Sequence, residues 1–274
     1  MIKNKFYKIN DIGKRICLIS DIHYSINYDL NIFAEIIDNI KNHKPDYICI
    51  PGDLVDDVAI LYEFPDNLTN FIKSLSKIAP TIISKGNHDE TNFLNHKHTY
   101  LTNEEYFLNL NTIENIYYLD NKTLVRDNIT FTSLSLSYGY YNNYHENYEV
   151  FKKEMNKKIK KINPLKYNIL LCHTPIHIFR NDEDIVNKFD LILSGHMHNG
   201  LVFDFIDKKG NRGLFGPFET FFPKNARGKI TKKIEEKDKN LIISGGVIKF
   251  ANNNPKFFHK LNRLYPISID YIDV

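Results

Sequence analysis

Short apolar runs that recur along the 274-residue chain limit what it can fold into. A run of four or five apolar residues without polar alternation is typical of a strand that is covered on both faces. Two such runs lie at 16–20 and 47–50, and helical periodicity separates them. The apolar positions of this helix are three or four residues apart: Leu30, Phe33, Ile36, Ile37 and Ile40. Because Pro45 blocks continuation of the helix, the pattern predicts a βαβ unit.

The same pattern recurs further along the chain, which predicts an α/β fold. A second amphipathic helix covers 68–78, Pro80 ends it, and 81–84 is a third strand. Further strands are predicted at 116–119, 123–126, 129–134, 168–172, 191–194, 241–244 and 266–272. Asp-Asn pairs separate the first three of these, which favours an antiparallel meander. Helices are expected after a capping box at Thr102 and Glu105 and over 147–162. Residues 206–240 are polar and predict a surface excursion.

The domain organisation, cellular setting and partners are constrained mainly by composition. The length predicts one domain over 1–274, with irregular excursions at about 92–165 and 199–240. The net charge of +3, from 36 Lys and Arg against 33 Asp and Glu, gives no reason to expect a stable nucleic-acid partner. No signal sequence and no transmembrane segment are expected. Cys17, Cys49 and Cys172 lie inside apolar runs, which favours reduced core thiols and a cytoplasmic location.

Polar residues that can bind metals follow directly after the strongest apolar runs. The five clusters are Asp21 with His23, Asp53 with Asp56, Asn87 with His88 and Asp89, the single His173, and His196 with His198. Sites in α/β proteins form at the carboxyl ends of strands, so these side chains are expected to converge. The two-residue spacing within Asp21/His23 and His196/His198 predicts that each pair lies on one side of an extended chain.

The order of these clusters resembles the calcineurin-like metallophosphoesterase superfamily. Its signature is D-x-H, G-D-x-x-D, G-N-H-D/E, a single H and G-H-x-H, and all five blocks are present in order over 21–198. The resemblance implies a four-layer α/β/β/α sandwich with two central mixed β-sheets. It also implies a metal-dependent phosphoric ester hydrolase that acts on a phosphomonoester or phosphodiester.

The resemblance assigns two metal ions to the clusters. One would be held by Asp21, His23, Asp53 and His198, and the other by Asp53, Asn87, His173 and His196. Mn²⁺ is favoured, with Fe, Zn²⁺, Ni²⁺ and Co²⁺ as alternatives for this oxygen and imidazole donor set. A hydroxide that bridges the metals would attack phosphorus. His88 would assist the leaving group, Asp56 would orient His88, and the Asp89 side chain would diverge.

Residues next to the clusters distinguish branches of the superfamily. Asp57 and Val58 replace the Arg-Gly of phosphoprotein phosphatases, and Asp56 replaces the metal-binding Tyr of purple acid phosphatases. The chain is most similar to the bacterial branch that acts on membrane-associated or lipid-linked substrates, through Asn199-Gly200, 221–223 and 242–246. The expected substrate is a small-molecule or lipid-linked phosphoester, and a peripheral membrane contact stays open.

Less specific features have simpler interpretations. The alternative function is a catalytically silent scaffold of the same fold that binds a protein partner. Tyrosines over 137–148 form either a substrate-facing loop or a compositional one, and the basic residues over 208–233 are interpreted as solvated surface. The remaining histidines are interpreted as surface residues: His43, His96, His98, His145, His177 and His259.

Overall fold

Two mixed β-sheets of six strands each form the centre of the computed structural model. The described residues are 1–90, 104–136, 162–175, 183–202, 211–216, 221–250 and 260–274, with the single positions Tyr141, Lys153, Asn156, Lys157 and Ile159. No helix within these ranges is long and apolar enough to span a bilayer. Cys17, Cys49 and Cys172 are buried free thiols, as expected.

The first sheet is built mostly from the amino-terminal half of the chain. Its strands are β1 (Ile2–Lys8), β2 (Arg15–Leu18), β3 (Tyr47–Pro51), β4 (Thr81–Ser84), β5 (Ile116–Tyr118) and β12 (Ile267–Asp273). Their order is β1-β12-β2-β3-β4-β5. All neighbours are parallel except β12 and β2. The carboxyl ends of β2, β3 and β4 therefore lie at one edge of this sheet.

The second sheet has a parallel centre between two antiparallel hairpins. Its strands are β6 (Thr123–Arg126), β7 (Ile129–Ser133), β8 (Tyr167–Leu171), β9 (Leu191–Ser194), β10 (Gly228–Ile234) and β11 (Lys237–Ile243). Their order is β10-β11-β9-β8-β7-β6, with β7, β8, β9 and β11 parallel. The carboxyl ends of β8 and β9 carry the later polar clusters.

Helices cover the sheets. They are α1 (Asn31–His43), α2 (Ile60–Glu63), α3 (Pro65–Ser76), α4 (Glu104–Leu110) and α5 (Glu183–Val186). Short 3₁₀ turns lie at His88–Glu90, His198–Leu201 and Asn262–Leu264. α3 has proline at its first position, where a helix does not need the missing N–H. α1 is capped at its carboxyl end by Lys44, which has a left-handed backbone. Phe33 of α1 stacks on Phe71 of α3 at 4.1 Å between ring centroids, so the two helices pack side by side.

Alternating residues of the central strands divide the core into layers. Ile16 and Leu18 face a cluster between the two sheets, which also contains Leu171 from β8. Cys17 faces the other way, toward the cluster beneath α1 and α3. Cys172, just after β8, joins the outer cluster with residues of α5. The predicted four-layer α/β/β/α arrangement with two mixed sheets is therefore confirmed.

Most of the predicted elements are present, but the meander prediction is wrong. β5 pairs in parallel with β4 in the first sheet, whereas β6 and β7 form a hairpin in the second. Asn121 and Asp127 do have left-handed backbones at the expected turns. The chain changes sheets after β5, and residue patterns for antiparallel and parallel neighbours are too similar to reveal such a change.

The prediction of a surface excursion is wrong for 228–240, because this segment contains β10 and most of β11. β10 is an edge strand whose other side is exposed, so its sequence is polar and lysine-rich. Glu105 lies in α4 as expected, whereas Thr102 and most of the predicted helix at 147–162 lie outside the described residues.

Candidate metal centre

The predicted site residues meet where the carboxyl ends of both sheets face each other. Loops after β2 and β3 carry Asp21, His23 and Asp53, and loops after β8 and β9 carry the three later histidines. In one group the donor atoms lie within 4.8 Å of one another: Asp21, His23, Asp53 and His198. A second group within the same limit comprises Asp53, His173 and His196. Asp53 belongs to both groups, as expected of the residue that the resemblance assigns to both metal ions.

Individual distances show how tightly these groups are packed. His173 Nε2 lies 2.9 Å from Asp53 Oδ2, and His23 Nε2 lies 3.6 Å from the same oxygen. His198 Nε2 lies 3.6 Å from Asp21 Oδ1. The side chains of Asp21, Asp53, His23 and His173 are at most 1% exposed. A buried cluster of this composition is costly unless a cation or protons compensate its charges.

The backbone at the site is left-handed at five non-glycine residues. The φ angles are 53° at Asp21, 48° at His23, 55° at Asp53, 68° at His196 and 45° at His198. The expectation that Asp21/His23 and His196/His198 converge through extended alternation is therefore wrong. They converge because tight left-handed turns aim their side chains inward, and such strain is typical of functional sites.

Two glycines permit this close approach. A Cβ atom on Gly86 would lie 2.2 Å from Asp53 Oδ1, and one on Gly195 would lie 1.9 Å from Ser20 Oγ and 2.7 Å from Asp21 Oδ2. Neither distance leaves room for a methyl group. The glycines of G-N-H-D and G-H-M-H are therefore required by packing against the site carboxylates.

The imidazole rings are oriented by oxygen atoms behind them. His173 Nδ1 donates to the Pro51 carbonyl at 2.8 Å, and His198 Nδ1 donates to the Ile248 carbonyl at 2.9 Å. His23 Nδ1 lies 3.3 Å from Asp56 Oδ1. With Nδ1 engaged in this way, Nε2 is the nitrogen that lies in the cluster. This is the usual orientation of histidines that bind metals.

Burial and charge shift the pKa values in opposite directions within the cluster. Burial alone would raise the pKa of Asp53, but His173 and other nearby histidines hold it well below its usual value. Burial alone would lower the pKa of His173, but the Asp53 charge raises it to about 9. Burial lowers the pKa of His198 to about 4. Burial thus favours the neutral form of His198, whereas the Asp53 charge favours the protonated form of His173. A bound metal ion would require both imidazoles to be neutral.

The donor set fits a metal centre. Among the described residues, Asp21 Oδ2 and His23 Nε2 are buried without a hydrogen-bond partner. Leaving such atoms unpaired costs about 1–3 kcal/mol each, and a bound cation would satisfy both. Carboxylate and imidazole ligands without thiolate suit first-row transition metals.

His88, Asp56 and Asn87 lie at the margin of the cluster. His88 Nδ1 donates to the backbone carbonyl of Asp56 at 2.7 Å, whereas the nearest Asp56 carboxylate oxygen is 3.6 Å away. The His88 side chain is 13% exposed, and its backbone N–H donates to Asp53 Oδ1 at 3.0 Å. Asn87 is buried in the same turn. The ligand role of Asn87 and the catalytic role of His88 stay predictions.

Asp89 has a structural role that the sequence did not reveal. Its carboxylate accepts hydrogen bonds from the backbone N–H groups of Gly86, Asp53, Leu54 and Val55, at 2.8 to 3.2 Å. Burial and the Asp53 charge raise the pKa of Asp89 to about 7, although these N–H groups favour the charged form. Asp89 therefore ties the loop after β3 to the loop after β4. The sequence indicated only that an acidic residue follows His88, and not which groups it would contact.

Aromatic contacts extend the site beyond the predicted residues. The ring of Tyr141 is buried, with its centroid 5.9 Å from that of His173 and 5.6 Å from that of His196. The rest of the tyrosine-rich segment 137–148 lies outside the described residues, as do His96, His98, His145, His177 and His259. His43 is half-buried and stacks on Tyr271 at 4.4 Å, so it is not a plain surface histidine.

Comparison with known proteins identifies the family. The family model described as calcineurin-like phosphoesterase matches residues 14–200, which include every predicted ligand. The chain belongs to the calcineurin-like phosphoesterase family. This conclusion agrees with the resemblance seen in the motifs. The cluster of Asp and His side chains lies within the matched residues.

Curated relatives of this calcineurin-like phosphoesterase are themselves named only by family. An uncharacterized metallophosphoesterase of Campylobacter jejuni is 25% identical over 197 residues, covering 70% of this chain and 46% of that protein. One from Helicobacter pylori is 27% identical over 191 residues, with the same coverages. A putative metallophosphoesterase of Caenorhabditis elegans is 27% identical over 213 residues, covering 75% and 40%. The chain thus spans less than half the length of these relatives.

Solved structures with a similar arrangement are more distant in sequence. A dimetal phosphatase from Danio rerio has a TM-score of 0.45 and 11% identity, covering 87% of this chain and 89% of that one. The NAD nucleotidase of Haemophilus influenzae has a TM-score of 0.49 and 12% identity, covering 86% of this chain and 45% of that one.

Proposed function

We propose that this calcineurin-like phosphoesterase hydrolyses a phosphomonoester or phosphodiester at a dinuclear metal centre. The observation that carries the proposal is the pair of His and Asp groups that share Asp53. One ion would be held by Asp21, His23, Asp53 and His198. The other would be held by Asp53, Asn87, His173 and His196. When bound, two such cations supply Lewis-acid activation of water and neutralise phosphate charge.

The protein residues would prepare the site before the substrate arrives. Asp53 would place one carboxylate between both ligand groups, while the carbonyls of Pro51 and Ile248 keep His173 and His198 oriented. Because His88 donates through Nδ1 to the Asp56 carbonyl, its Nε2 is the atom that would deliver a proton to the leaving-group oxygen. The 13% exposure of the His88 side chain is compatible with contact to a substrate at the surface of the cluster.

The direct test is hydrolysis by the purified protein reconstituted with Mn²⁺. An activated aryl phosphomonoester and the corresponding diester would be assayed, with Fe, Zn²⁺, Ni²⁺ and Co²⁺ as alternative metals. Asp53→Asn is expected to abolish activity together with metal binding. His88→Ala is expected to lower kcat by about 10²–10⁴-fold while the metal content stays unchanged, since a general acid typically contributes this much. Asp38→Asn, at an exposed position of α1, is the matched control.

Metal analysis separates the enzyme from the alternative scaffold. About two ions per chain, together with turnover of either ester, supports the proposal. A protein that holds no metal and hydrolyses neither ester would instead support a catalytically silent scaffold. A protein that binds two metal ions but hydrolyses no ester with any of the metals tested would contradict the proposed activity.

The proposal also concerns the physiological substrate and the cellular location. A small-molecule phosphoester is proposed as the substrate, and a screen against nucleotides, sugar phosphates and lipid-linked phosphoesters tests this choice. A cytoplasmic location is supported by the three buried free thiols. Sedimentation with anionic vesicles tests the peripheral membrane contact.

A further inference from the structure

A pocket of about 350 Å³ lies directly beside His23 and is not accounted for by the metal ligands. One wall follows the chain from His23 through Ser25 to the first turns of α1. The other wall is formed by 247–250 and 262–267. His23 is thus the member of the ligand group of Asp21, His23, Asp53 and His198 that also lines the pocket.

The second wall is fixed to this ligand group by hydrogen bonds. The backbone N–H of Val247 donates to the Ser20 carbonyl and that of Ile248 to the Asp21 carbonyl, each at 2.9 Å. The Ile248 carbonyl in turn accepts a hydrogen bond from His198 Nδ1, at 2.9 Å between the two atoms. A group that binds against this wall is therefore held at a defined position relative to the metal centre.

The outer part of the same wall is held by Asn262. Its Oδ1 accepts from the backbone N–H groups of Lys249 and Phe250, at 3.1 and 2.8 Å, and its Nδ2 donates to the Phe250 carbonyl at 2.9 Å. The ring of Phe250 packs edge-on against Tyr265 at 5.8 Å. These contacts give the pocket a preformed aromatic wall instead of a loose loop.

The lining combines apolar side chains with polar ones. Its apolar and aromatic residues include Ile32, Val247, Ile248, Phe250, Tyr265 and Ile267. Exposed polar residues at its margin include Asn27, Glu35 and Arg263. Binding sites for small organic molecules use apolar and aromatic contacts for affinity and polar groups to fix orientation.

The volume limits what the pocket can accept. A cavity of about 150 Å³ is enough to hold one benzene ring. The 350 Å³ of this pocket is thus suited to about two fused rings or a group of similar bulk. It lies at the low end of the range for small-molecule sites, about 300–1,000 Å³, so a long acyl chain would extend beyond it.

The geometry points to this pocket as the binding site for the organic group of the phosphoester, a compact and flat group with an apolar face. This inference rests on the proposed function, because it assumes that the phosphate lies at the metal centre. It narrows the substrate class to phosphoesters of compact aromatic or cyclic alcohols, as opposed to esters with long alkyl chains.

Equilibrium binding tests the pocket without requiring turnover. Calorimetry would compare methylphosphonate, 1-naphthylphosphonate and dodecylphosphonate, which cannot be hydrolysed, on the protein reconstituted with Mn²⁺. The naphthyl compound is expected to bind at least about tenfold more tightly than the methyl compound, because it buries an aromatic surface. Equal affinities for the methyl and naphthyl compounds, or tightest binding of the dodecyl compound, would overturn the inference.

Ile32 and Ile37 provide a matched pair of variants. Both are half-buried isoleucines of α1, but only Ile32 lines the pocket. Ile32→Phe is expected to lower the naphthyl-to-methyl affinity ratio by about tenfold, since one misfit group in a pocket is worth about 10–200-fold. Ile37→Phe is expected to leave the ratio within about twofold, and Ile32→Ala should move preference toward bulkier rings. A ratio that responds equally at Ile32 and Ile37 would contradict the assignment.

The two proposals fail in different ways. Selective naphthyl binding that depends on Ile32, in a protein that hydrolyses no ester, would support the pocket assignment and contradict the proposed function. Turnover of both methyl and naphthyl phosphates with equal kcat/KM, and no effect at Ile32, would support the phosphoesterase activity and contradict the pocket assignment.

Discussion

His88 Nδ1 donates a hydrogen bond to the backbone carbonyl of Asp56 at 2.7 Å, while the Asp56 carboxylate lies closer to His23 than to His88. The side chain and the backbone of Asp56 thus support different histidines. A substitution of Asp56 removes the carboxylate from both histidines but retains the carbonyl that accepts the His88 hydrogen bond.

Asp56→Ala is therefore expected to act mainly through His23. Loss of the carboxylate behind a metal-binding histidine typically lowers metal affinity by about 10–100-fold. Competition with a chromophoric chelator would measure this, and kcat would be compared at saturating metal. If metal affinity is unchanged and kcat falls as far as in His88→Ala, the carboxylate serves His88 instead.

Asp89→Asn is expected to destabilise the metal-free protein. The carboxylate accepts four backbone N–H groups from two loops, and an amide has only one oxygen to accept them. The expected loss in the free energy of unfolding is about 3 kcal/mol, measured by urea denaturation. Asp29→Asn, where the amide oxygen can replace the bond to the Asn31 N–H, should stay within about 0.5 kcal/mol. Similar losses at both positions would contradict the role given to Asp89.

Gly86→Ala is expected to weaken metal binding through Asp53. The added methyl group would lie 2.2 Å from Asp53 Oδ1, so the carboxylate must move. Gly13→Ala is the control, because Gly13 has a φ of +77° but a methyl group added there would meet no atom within 4 Å. Both variants should lose stability, but only Gly86→Ala should lose metal affinity. Chelator competition on the two purified variants distinguishes these outcomes.

Acid stability is expected to depend on Tyr47. Its hydroxyl donates to Asp127 Oδ2 at 2.6 Å, and this bond lowers the pKa of Asp127 below its ordinary value of 3.8. A carboxyl whose pKa is lower in the folded state contributes stability above its unfolded pKa, and this contribution is lost as pH falls through the folded pKa.

The difference in unfolding free energy between the native protein and Tyr47→Phe should therefore be largest near about pH 6 and shrink toward about pH 3. Urea denaturation at several pH values measures it. Tyr62→Phe, at an exposed tyrosine, should show no such trend. A Tyr47→Phe difference that is constant with pH would rule out the contribution of Asp127.

The sequence predicted the strands that are buried on both sides but missed the edge strands β1 and β10. β3 and β9 are buried throughout and mostly apolar, so each was predicted to within one residue. β1 and β10 are edge strands with polar, half-exposed residues, and their patterns do not separate them from loops. Pairing across the chain, such as β1 with β12, depends on long-range packing that local periodicity does not encode.

The sequence predicted that the residues of the candidate site come together, but not how the loops bring them together. Motif order brought together Asp21, Asp53 and His198, and the structure places them in one group. The left-handed backbone at these positions, and the four N–H groups that Asp89 accepts, result from contacts between separate loops. A sequence pattern identifies the side chains of such a site but not the strained backbone that directs them toward one another.

Both sheets contribute residues to the centre, with Asp21, His23 and Asp53 from loops of the first sheet and three histidines from loops of the second. A cation held by both sets would act as an intramolecular cross-link across the seam between the sheets. Its removal would then be felt far from the ligands, as faster amide hydrogen exchange in the strands on both sides of that seam.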